Sequence, residues 1–188
     1  MSVHVKSMLA RLQSTLGEGE PLQEILLLPG KPNSNPLKDI NLVVGYNGSR
    51  RSQAALDLTL WMAHQTRLVT TVSVVVQVVY VVEDTQVYHG QAIASVQNGY
   101  QPAAPEYGDW SRQAKSVLQQ AQRLVLEWQG SFVAHVRIGP VARELRRVVE
   151  EKSAASLCLG CYNALHPIIQ DLGRDFLCPV VGIPRGAD

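Results

Sequence analysis

Cysteine, net charge and long apolar runs are all scarce in this chain. Three cysteines in 188 residues are few and odd in number, so no disulfide framework is expected and a reducing, cytoplasmic setting is. The formal net charge is +1, which leaves no basic footprint for a nucleic acid and no acidic solvating tail. The longest apolar stretch, Val72–Val82, is interrupted by Ser73, Gln77 and Tyr80. It is too short and too β-branched for a membrane helix, which needs about 20 apolar residues. The N-terminus lacks the charged, apolar and small-residue progression of a secretory signal. No internal repeat is visible, and no serine or cysteine sits in a recognisable nucleophile context.

What is present suits one α/β domain: 46% of the residues are hydrophobic and only 18% are charged. Residues 1–38 read as an extension. Val5, Met8, Leu9, Leu12 and Leu16 share one helical face, Gly17–Pro21 stops it, and a short apolar run, Ile25–Leu28, precedes a linker over Pro29–Pro36. The core domain spans residues 39–188. Its first strand is the continuous apolar run Asn41–Tyr46, followed by a turn and a helix capped by Ser49, with Ala54, Ala55, Leu58, Trp61 and Met62 inward. Val72–Val82 is the second strand. Residues 84–108 show no period and read as a long loop.

Asp109 is the expected cap of the next helix, whose stripe runs from Ala114 to Trp128. Ser131–Ile138 is the third strand, Val141–Lys152 a helix, Ser156–Leu159 the fourth strand, Pro167–Phe176 a short helix and Val180–Ile183 the fifth strand. Alternating strands and helices predict a five-stranded, doubly wound parallel sheet.

The run Asn41-Leu-Val-Val-Gly-Tyr-Asn-Gly-Ser49, with Ser52 and Ala54-Ala-Leu56 after it, resembles the opening of the universal stress protein family. Gly139-Pro140, the strand Leu157-Cys-Leu-Gly160 and the ending Cys178-Pro-Val-Val-Gly-Ile-Pro184 are similar to later parts of that family's pattern. The resemblance covers residues 39–184. It implies an adenine nucleotide alpha hydrolase-like, flavodoxin-like sheet, in which the core strands counted from Asn41 run 3-2-1-4-5. A ligand would then sit where the order reverses, between the first and fourth strands. It also implies a homodimer paired through the last strand, and ATP or AMP as ligand.

By that resemblance the site residues are Tyr46, Asn47, Gly48 and Ser49 at the first turn, and Val82 at the end of the second strand. Gly160, Asn163 and His166 complete the set at the fourth turn. The family's nucleotide-binding members carry Gly, two residues, Gly, nine residues and Gly-Ser there. Glycines let backbone N–H groups approach phosphate closely. Here Asn163 stands at the second glycine. Counting onward reaches Gly173-Arg174, whereas aligning from Cys178-Pro179 puts His166-Pro167 at the Gly-Ser position, and the second alignment keeps a helix before the last strand. Asn47 replaces an aspartate, exchanging a carboxylate for an amide. These departures imply weak or absent nucleotide binding.

Other candidates have plainer readings. Arg50 and Arg51 either attract an anion to the helix N-terminus or are simply solvated. Cys158 and Cys161 have CxxC spacing without a second ligand pair, so both read as structural, with a thiol switch at Cys161 as the rival. Five scattered histidines offer no metal spacing. Glu83 and Asp84, a position that edges the adenine pocket in the family, read as a solvated strand end, with an acid pair near the site as the rival. The expected function is a non-enzymatic regulatory binding module. Slow ATP or AMP hydrolysis, or a protein-interaction scaffold built on residues 1–38, are the alternatives.

Overall fold

The computed structural model describes residues 26–30, 39–83, 108–128 and 131–183. The long loop and the amphipathic N-terminal segment therefore lie outside the described residues, as does Asp84.

Chain order is β1 (Leu26–Leu28), β2 (Asp39–Gly45), α1 (Arg50–Val69), β3 (Ser73–Val82) and α2 (Gly108–Glu127), then β4 (Ser131–Ile138), α3 (Val141–Glu151), β5 (Ser156–Cys158), α4 (Pro167–Leu172) and β6 (Val180–Val181). One sheet runs β1-β6-β5-β2-β3-β4. The pairs β2–β3, β2–β5, β3–β4 and β5–β6 are parallel, whereas β1 lies antiparallel on β6. The expected five-stranded, all-parallel sheet is thus corrected to a mixed six-stranded one.

Why β2 and β3 lie inside the sheet, each paired on both sides, follows from their composition. Leu42 and Val44 face one layer with Val74, Val76 and Val78, while Val43 and Val79 face the other. Strands covered on both faces need continuous apolar runs rather than alternation. Helices α1 and α2 cover the first face through Ala54, Ala55, Leu56, Leu60, Ala121 and Val125. Helices α3 and α4 cover the second through Leu145, Val148, Val149, Ile169 and Leu172.

One buried amide interrupts that second layer, and it is fully partnered. Gln77 Nε2 donates to Asn41 Oδ1 at 2.8 Å, and Gln77 Oε1 lies 2.7 Å from His135 Nε2. Asn41 Nδ2 in turn donates to the carbonyl of Lys152, tying three strands to the end of α3. A hydrogen-bonded polar row of this kind removes the cost of burying an amide among valines.

Several boundaries differ from expectation: the last helix ends at Leu172 and not Phe176, and the last strand at Val181 and not Ile183. Helix α2 begins at Gly108, so Asp109 lies inside its first turn and is not the residue before it. More consequential is β1. Its register places Leu26 against Val181 and Leu28 against Val180, with an irregularity between. The edge of Val180–Ile183, expected to pair with a second copy, is occupied by the same chain. Gly30 makes the fit: its φ is +60°, and a methyl there would lie 2.1 Å from the Cys178 carbonyl carbon. Gly182 is equally confined, with the Cys161 carbonyl oxygen 2.3 Å and Leu27 Cδ1 2.8 Å from an added Cβ. Among the described residues, no helix is long and apolar enough to cross a membrane.

Candidate functional site

Neighbouring strands β2 and β5 run parallel, and the helices that follow them, α1 and α4, pack on opposite faces of the sheet. A crevice opens at such a divergence, beyond the carboxyl ends of the strands. There the structure holds a cavity of about 360 Å³.

Its floor is apolar, with Val79 and Val81 from β3, Leu145 from α3, Leu159 after β5 and Ile168 from α4. Gly45 and Tyr46 enter from the end of β2. The polar groups sit around this floor: Asn47, Ser49 and Ser52 on one side, His166 on another, and Glu83 and Gln113 where β3 ends and α2 begins.

Of the residues singled out from sequence, Tyr46, Asn47, Ser49, Glu83, Gly160, Cys161 and His166 line the cavity. Gly48 turns away: its φ is +83°, and a side chain there would meet Gln120 and Val117 of α2. Val82 is buried with Tyr80 and Ala114. Asn163 closes its own loop, Oδ1 accepting from the Leu165 N–H at 2.9 Å. Sequence reasoning missed Gln113, for which no local signal exists. It also missed Val141, although its place directly after the Gly139-Pro140 turn marks a helix start at the sheet's carboxyl end.

Five backbone donors of the two loops are already engaged. Asn47 Oδ1 accepts from the Ser49 N–H (3.1 Å), Ser49 Oγ from the Ser52 N–H (3.2 Å), and Ser52 Oγ from the Asn47 N–H (3.3 Å). On the other loop Asn163 holds Leu165, and His166 Nδ1 accepts from the Ile168 N–H at 3.3 Å. That last bond places the proton of a neutral imidazole on Nε2. Asn47 and Ser49 thus act as local turn and cap residues.

Gly160 has a packing reason of its own. An added Cβ would lie 2.7 Å from the Arg51 carbonyl carbon and 2.9 Å from the Ser52 nitrogen, so the first turn of α1 rests directly on this residue. Arg51 then folds over the Tyr162 ring, 4.9 Å from its centroid, and does not line the cavity.

Burial pushes the Tyr46 hydroxyl up to about 12, and Asp57 adds to the effect. The cysteines are equally passive. Burial raises Cys161 to about 11 in spite of the nearby Arg51 charge, and likewise raises Cys158 to about 11 and Cys178 to about 12. All three are buried free thiols, and at neutral pH they remain protonated and weakly nucleophilic. Among the described residues no group of His, Cys, Asp and Glu side chains is arranged to hold a metal ion.

No protein-family model matches the chain, and no curated protein matches it significantly. Solved structures do. A universal stress protein family member from Burkholderia pseudomallei superposes with a TM-score of 0.56 and 22% identity, covering 81% of this chain and 99% of its own. An Arabidopsis thaliana member with AMP bound gives 0.53 and 18%, covering 79% and 94%. A universal stress protein in complex with cAMP gives 0.51 and 14%, covering 78% and 98%. At these identities the likeness is one of architecture, and the architecture of this chain is the universal stress protein fold.

Proposed function

We propose that this chain is a regulatory binding module, a universal stress protein-like domain that responds to a small molecule in the β2–β5 crevice and binds adenine nucleotides weakly or not at all. The observation that carries the reading is the state of the two loops. Five backbone N–H groups of these loops donate to side chains of their own turns. A phosphate cradle needs such donors open. Structural neighbours that hold AMP and cAMP make the crevice a reasonable ligand site; the closed loops argue against tight phosphate recognition.

The reading includes a non-enzymatic role and a cytoplasmic location, the latter in keeping with three free buried thiols. Homodimerisation belongs to it too, through a surface other than the edge that β1 covers. Calorimetric titration with ATP, AMP and cAMP tests the central claim. Dissociation constants weaker than about 10 μM, or no heat at all, are expected; a constant tighter than that, about 7 kcal/mol of binding, overturns it. Metal-dependent ATP turnover that disappears in Glu83→Gln would overturn the non-enzymatic part.

A further inference from the structure

The structure assigns to the crevice a ligand class of its own: an unphosphorylated nucleoside, held by its ring and hydroxyls. This deepens the binding-module reading above and rests on it.

Three features of the cavity point the same way. Its volume, about 360 Å³, and its floor of Val79, Val81, Leu145, Leu159 and Ile168 suit a flat ring with an attached sugar. Its wall contains no lysine or arginine among the described residues, and one carboxylate, Glu83. Arg51, the cation nearest in sequence to the first loop, stacks on Tyr162 and is absent from the wall. A phosphate entering here meets a like charge and finds no cation waiting, which raises the free energy of the bound state.

The loop donors complete the case. The N–H groups of Asn47, Ser49, Ser52, Leu165 and Ile168 are each satisfied by a side-chain oxygen or nitrogen within 3.3 Å. An anion would have to break those bonds to recruit these five donors. Opening His166 or Asn163 to release one would also leave a cap or loop unsatisfied.

A nucleoside asks for none of this. Its ring covers the apolar floor, and its hydroxyls donate to a carboxylate that already faces the cavity. Glu83 accepts such bonds strongly because it is charged. Gln113, which lines the same cavity from the first turns of α2, supplies both a donor and an acceptor for ring edges. The carboxylate that repels a phosphate is thus the group that selects the dephosphorylated form.

The test is a titration series at one ionic strength, without divalent metal, using adenosine, AMP and ATP on the full chain. Adenosine is expected to bind about tenfold tighter than AMP, and AMP tighter than ATP, the size expected of one like-charge contact at a solvated site. Glu83→Gln, an exposed substitution at a strand end, is expected to narrow the adenosine–AMP gap severalfold. An unchanged gap in that variant overturns the role given to Glu83. AMP or ATP bound better than adenosine, yet weaker than about 10 μM, overturns this inference and leaves the binding-module reading standing. Either phosphate form tighter than that overturns both. Silence from all three overturns the nucleoside assignment alone.

Discussion

At Gly160 the three atoms nearest an added methyl would be backbone: the carbonyl carbon and oxygen of Arg51 and the nitrogen of Ser52, all within 2.9 Å. Flexible side-chain tips can yield, but a helix turn fixed by its Ser49 cap cannot. Gly160→Ala is therefore expected to destabilise the fold by about 1–3 kcal/mol, an overpacking cost seen as a lower urea midpoint without any ligand present.

His135 gives a second residue-scale expectation. Burial lowers its pKa, the Lys152 and Arg137 charges add to that, and Glu151 opposes them. The unfolded chain then binds a proton near pH 6.5 that the folded chain resists. The stabilising contribution is fully present above pH 6.5 and is lost as pH falls from there towards the depressed folded value. Urea midpoints at pH 7.5 and 5.5 should show this loss, and His135→Gln, which keeps a donor for Gln77 without titrating, should show less of it. Neither residue's environment was readable from sequence. Gly160 fitted a family glycine, but its contact with Arg51 exists only once α1 is docked; His135 stood among scattered histidines until β3 brought Gln77 beside it.

Elements were more legible where they were long and locally patterned. The valine-rich run of β3, the Ser49 cap and the stripe of α2 each announce themselves within a few residues. Strand β1 does not, because three leucines carry no period and its partner lies near the other end of the chain. Its register makes a sharp distinction between neighbours. Leu27 is 8% exposed and Leu26 is 51% exposed. Leu27→Ala should cost about 2 kcal/mol or more, and Leu26→Ala less than about 0.5 kcal/mol, as measured by chemical denaturation. Similar losses at both positions would mean that the pairing register is wrong. The place of the crevice was an expectation of the family resemblance, which supplied the strand order and with it the point where that order reverses. Its wall was not: Gln113 reaches it only through the way α2 packs.

For the molecule as a whole, β1 decides which edges of the sheet remain open. With β6 covered, the unpaired side of β4 is the other border of the sheet. Exposed edges invite pairing with other chains. Deleting residues 1–30 is expected to bare β6 and add concentration-dependent association in analytical ultracentrifugation beyond that of the full chain. An unchanged sedimentation profile would deny β1 that protective role.

The β1–β6 ladder also has a temporal consequence. It joins the beginning of the domain to its last strand, a contact spanning nearly the whole sequence, and such contacts carry a high closure entropy before they yield any stabilisation. A nascent chain leaving the ribosome holds Leu26–Leu28 in hand long before Val180–Val181 has been synthesised. Through that interval the leucines have no mate, and the parallel core must assemble first. In pulsed hydrogen exchange during refolding, the amides of β1 should gain protection after those of β2 and β3, so that a strand made before the core is the last to find its place.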